Sequence, residues 1–125
     1  MARRNGDPQN KKVSSELLTY EGMQKRVNRC YLEMGRRNRA LIAPVGEAWR
    51  VVRQEKPTLN LYRDNVHPNR KGTYLVACVF FTTFFGETSI VSSIPDQVDR
   101  EAANYIQEVV DRIVLEQIQE WDWRQ

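Results

Sequence analysis

The sequence predicts an α/β fold, rich in helix, with one short apolar run serving as a parallel strand. Three observations lead there. Four segments repeat apolar residues at spacings of three and four, as amphipathic helices do. Residues 40–46, "ALIAPVG", form a short apolar run closed by glycine between two helical segments, the pattern of a buried parallel strand. No second run of like strength follows, and a strand cannot satisfy its own backbone groups. The chain therefore reads as the later part of an α/β domain whose other strands lie upstream or on another chain.

The elements follow in order. Residues 1–18 are polar, with the turn signals Asn5-Gly6 and Asp7-Pro8, and read as a loop. Thr19 can cap a helix that starts at Tyr20 with Glu21 in its first turn. Tyr20, Met23, Val27, Cys30, Tyr31 and Met34 make its apolar stripe, expected to be a core face. Gly35 and Asn38 close it. The strand follows, and Pro44 restricts it to a sheet edge or to its own last residues. "EAWRVVRQEK" is a short helix stopped by Pro57, and a loop runs to residue 70. Lys71 to Phe85 is apolar almost all round and should be buried on most sides. The last helix begins near Asp96, carries Val98, Ala102, Tyr105, Ile106, Val109 and Ile113 on one stripe, and ends near Gln119. Residues 19–119 are thus one domain portion, and 120–125 a tail that is mobile or docked by its tryptophans.

Composition narrows the function. With 125 residues, 41 % apolar and 28 % charged, the chain is one foldable domain. The apolar run at 74–85 is broken by threonines and too short to span a bilayer, so no membrane association is expected. No secretory signal pattern opens the chain. Cys30 and Cys78 lie in helical patterns and read as buried free thiols. One histidine and no Cys-x-x-Cys leave no metal site, and no cofactor motif is present. Residues 1–39 carry ten Lys/Arg against four Asp/Glu, and residues 86–125 three against nine. The basic charges fall between apolar positions at helical spacing, so they read as a solvated helix face and not as a nucleic-acid surface.

The chemistry concentrates in "LYRDNVHPNRKGTYLVACVFF", residues 61–81, which holds the one histidine, His67, three residues after Asp64. Neutral imidazole is a base that works near pH 7. A carboxylate accepting from Nδ1–H fixes the tautomer and leaves Nε2 free to take a proton from a nucleophile. Pro68 suits the first turn of a helix, which makes His67 a helix-start residue at a loop end. The same four residues also fit a histidine that closes a helix start beside a carboxylate, without chemistry.

The words "IAPVGEAW", "LYRDNVHPNRKGTYLVACVFF" and "FFGETS", with "RRNGD" and "TYEGMQKR" before them, resemble the C-terminal part of SGNH/GDSL-type serine hydrolases of bacteria. The resemblance covers roughly residues 3–115. It implies a flavodoxin-like three-layer α/β/α sandwich. It also implies an Asp-x-x-His-Pro block, matched here by Asp64, His67, Pro68 and Gly72. Asp64 would orient and His67 would serve as general base toward a serine. The implied substrate is an acyl or acetyl ester, acylated carbohydrates included. Members of the family are often exported. The family's Gly-Asp-Ser nucleophile block is not matched: Gly6-Asp7 is followed by proline, and Ser14, Ser15, Ser89, Ser92 and Ser93 read as loop or cap residues. The expectation is an ester hydrolase portion that carries Asp and His but no nucleophile, inactive alone, self-associating or lacking an N-terminal half. The alternative is a non-catalytic binding or assembly module.

Overall fold

Thr19 ends the polar N-terminal stretch by accepting a hydrogen bond from the Gly22 N–H at 3.1 Å, and helix α1 (Tyr20–Asn38) begins there. The computed structural model describes residues 1–91 and 93–122. Its other helices are α2 (Val45–Glu55), α3 (Arg70–Phe85), α4 (Arg100–Val114) and the short α5 (Ile118–Trp121). Two 3₁₀ turns, Pro8–Asn10 and Ser15–Leu18, lie within the N-terminal stretch, and a third covers Ser89–Val91. No helix among the described residues is long and apolar enough to cross a membrane.

Helices α2, α3 and α4 pack against one another, and α1 lies against α2 and the Ser15–Leu18 turn. The shared core holds Trp49, Val52, Leu61, Leu75, Val79 and Ile106, all fully buried. Burial of such side chains contributes on the order of 1.5–3 kcal/mol each. Trp49 sits edge-on to Tyr62 at 4.9 Å between ring centroids. Gly72 also lies against it, where a Cβ would stand 2.6 Å from the indole and 2.3 Å from the Leu61 carbonyl oxygen. Glycine is required at that point because helix and loop backbones approach too closely for any side chain.

The strand expectation is corrected. Among the described residues there is no strand and no sheet, only three isolated bridges: Arg4 with Gly6, Leu41 with Asp122, and Tyr62 with Pro68. The molecule is all-helical, not an α/β/α sandwich. The apolar run divides at Pro44, which has no N–H for a ladder and stands as the N-cap of α2. The Ala40 N–H donates to the Gly35 carbonyl oxygen of α1 at 3.0 Å, and the Ile42 N–H to the Trp121 carbonyl oxygen at 2.9 Å. A ladder needs a partner of several residues, and among the described residues Asp122 alone bridges this run.

Three further expectations shift. The α1 stripe is not a core face throughout. Tyr20 is buried, but Cys30, Tyr31 and Met34 are exposed, because α1 runs past the end of α2. Helix α3 buries Cys78, Thr82 and Thr83 but exposes Phe80, Phe84 and Phe85. The last helix starts later than Asp96, since the Asp99 side chain accepts from the Ala102 N–H at 2.9 Å and sets the N-cap. In the tail, Trp121 is buried and donates from its indole N–H to the Ile113 carbonyl oxygen at 2.9 Å, whereas 123–125 lie outside the described residues.

Candidate functional site

The loop between α2 and α3 carries Asp64 and His67, and its stem is rigid. Leu61 and Tyr62 are buried. The Tyr62 hydroxyl donates to the Ala2 carbonyl oxygen at 2.6 Å. Across the stem, the Arg63 N–H donates to the His67 carbonyl oxygen and the Asn69 N–H to that of Leu61, both at 2.9 Å. The N-terminal segment braces the tip from outside. The Arg4 N–H donates to the Asn65 carbonyl oxygen at 2.9 Å, and the Asn5 N–H to Asn65 Oδ1 at 3.0 Å.

At the tip the two side chains meet. Asp64 Oδ1 accepts from the backbone N–H groups of Val66 at 2.7 Å and His67 at 2.8 Å, an Asx turn that orients the carboxylate. Asp64 Oδ2 lies 2.9 Å from His67 Nδ1, and Arg63 Nε stands 3.6 Å from the same oxygen. The His67 and Val66 backbone donors and then the imidazole hold the Asp64 carboxyl far below the usual carboxylate range. The pair faces solvent, with the His67 side chain 61 % exposed, and Nε2 makes no hydrogen bond to any described residue.

His67 is not a helix-start residue. Asn69 is the N-cap of α3, accepting from the Gly72 N–H at 3.0 Å, and Pro68 lies in the stem opposite Tyr62. Nor does the pair face a cleft beside residues 40–46. The apolar cavity there is lined by α1, α3 and residues 40–47, without Asp64 or His67. Sequence reasoning overlooked Asn65 and Asn69, which lock the tip and cap the helix. An Asn three residues before the Gly of an apolar helical run is the signal that marks the second.

Among the described residues, none of the serine hydroxyls expected as loop or cap residues hydrogen-bonds to His67. Ser14 caps the Ser15–Leu18 turn, Ser89 is buried beside α4, and Ser93 is exposed, while Ser92 lies outside the described residues. Cys78 is buried, and burial pushes its thiol up, away from the reactive thiolate. No group of three or more His, Cys, Asp or Glu among the described residues could hold a metal ion.

No family model, curated protein or solved structure matches this chain. The likeness to SGNH/GDSL-type hydrolases is accordingly withdrawn. That family's sandwich is built on a parallel sheet, and the described residues form helices with no sheet beneath them.

Proposed function

We propose that Asp64 and His67 are the orienting carboxylate and general base of an acyl-transfer site that cleaves an ester, with the nucleophile supplied from outside the described residues. The observation that supports this is the 2.9 Å approach of Nδ1 to a carboxylate already fixed by two backbone donors. With Nδ1–H given to Asp64, the Nε2 lone pair is free to take a proton from an approaching hydroxyl or water. The imidazolium that forms keeps an ionised partner, because the same backbone donors hold the carboxyl low. A positioned base of this kind contributes about 10²–10⁴-fold.

The test is hydrolysis of p-nitrophenyl acetate by residues 1–125, with water as the nucleophile. The expected activity is slow, shows no acyl burst, is insensitive to a serine-directed phosphonate, and falls in both His67→Ala and Asp64→Ala. Rates equal to wild type in both variants would reject the proposal. Phosphonate-sensitive turnover would place a nucleophile within the chain and reject the division of labour. The apolar cavity beside residues 40–46 favours a second reading, a binding or assembly module, in which the pair is only a loop clasp.

A further inference from the structure

We infer that the cavity between α1 and α2 is a binding site for a small phosphate monoester. The cavity encloses about 690 Å³, and Tyr20 and Leu32 give it an apolar wall. Sites for small organic molecules usually enclose about 300–1,000 Å³. Neither Asp64 nor His67 lines it, so it stands apart from the acyl-transfer reading.

Two cations point to the ligand. Arg53 lies half-buried in the cavity wall, its guanidinium 3.9 Å from the centroid of the Tyr20 ring and 5.5 Å from that of Tyr62. It makes no ion pair with a carboxylate among the described residues. A charge drawn partly out of water is ordinarily compensated by an opposite one. Stacking occupies the face of a guanidinium and leaves the N–H donors in its plane. Lys25 stands on the α1 side of the same cavity, exposed, and makes no hydrogen bond or ion pair among the described residues. Arg29 and Arg50, also at the rim, already hold Glu16 and Glu47, so their charges are met.

That pair of cations selects a phosphate over a carboxylate. The two negative charges of a phosphate monoester answer both, whereas a single carboxylate leaves one unmet. Arg53 offers a planar fork and Lys25 a point charge, the two ways in which side chains hold phosphate oxygens. One rim acid opposes the dianion. Glu33 is paired with Arg37, but Glu21, four residues before Lys25 on α1, makes no ion pair among the described residues. Removing its charge should therefore tighten binding.

The experiment is a ¹⁵N–¹H NMR titration of the full chain with phenyl phosphate, inorganic phosphate and benzoate, at ~0.15 M salt so that exposed charges are screened. Phenyl phosphate should give saturable shifts of the Lys25, Asn28, Leu32, Arg53 and Gln54 amides. Its affinity should exceed that of either other probe by at least about tenfold, since one lacks the apolar body and the other the second charge. Affinity should fall at least about fivefold in Arg53→Gln and in Lys25→Gln, the loss of one charge-assisted hydrogen bond. It should rise in Glu21→Gln and stay unchanged in Arg70→Gln, which removes a cation outside the cavity. Lys25 is exposed, so its variant keeps the fold even where Arg53→Gln does not. No saturable shift with phenyl phosphate, equal affinity in Lys25→Gln, or either other probe bound as tightly would overturn the inference. An equal loss in Arg70→Gln would overturn it too, by reducing the binding to overall positive charge.

Discussion

Asp64 does three things with one carboxylate: it accepts from two backbone N–H groups and stands against the His67 ring. The ring is therefore held in the form that carries its proton on Nδ1. Free imidazole side chains favour the other nitrogen, so the tautomer reports the contact. Long-range ¹⁵N–¹H NMR of wild type should show the Nδ1–H form, and Asp64→Ala should return His67 to the Nε2–H form. A wild-type ring protonated on Nε2 at neutral pH would leave no free base there and sink the proton-transfer reading. Because the pair is solvent-exposed, the carboxylate acts on the ring by geometry more than by field strength.

At the scale of elements, the α2–α3 loop is only as rigid as its two ends. Helix α3 starts at a defined residue because Asn69 caps it, and it seats against the loop because Gly72 has no side chain. Gly72→Ala forces a methyl group onto the Leu61 carbonyl and the Trp49 ring. Overpacking of this kind costs about 1–3 kcal/mol. A lowered urea midpoint at unchanged slope is the expected result. The His67 tautomer should lose definition in the same variant, since the stem bond from the Asn69 N–H to Leu61 is disturbed. A variant as stable as wild type would show that helix and loop can separate without loss.

The whole molecule stands on packing of α2, α3 and α4, and two tyrosines report on it. Burial first, and then the neighbouring Cys78, pushes Tyr74 up to about 12. Burial and the hydrogen bond to Glu55 push Tyr105 up to about 12. Both folded values lie above the ordinary tyrosine value of about 10. A raised folded value means that the contribution to stability is complete below pH ~10 and is lost as pH rises toward 12. Circular dichroism against pH should show helix lost within that window, together with the rise of tyrosinate absorbance. Tyrosinate absorbance that appears near pH 10 with the helices intact, and that is lost in Tyr74→Phe and Tyr105→Phe, would show that these hydroxyls are open to water.

Helices were legible in the sequence because their evidence is local. The three-and-four spacing of α1, the Thr19 cap and the stripe of α4 are properties of neighbouring residues. The approach of Asp64 to His67 is equally local, since three residues in a turn leave few other arrangements. The apolar run at residues 40–46 misled because a strand is not local. It exists only if a partner supplies its ladder, and here Asp122 is the one bridging residue among those described, and the chain turns helical after Pro44. The exposure of Tyr31, Met34 and Phe84 was hidden for the same reason. Periodicity tells which residues share a face of a helix. Only the tertiary structure decides whether another element reaches that face, because burial depends on residues distant in the chain.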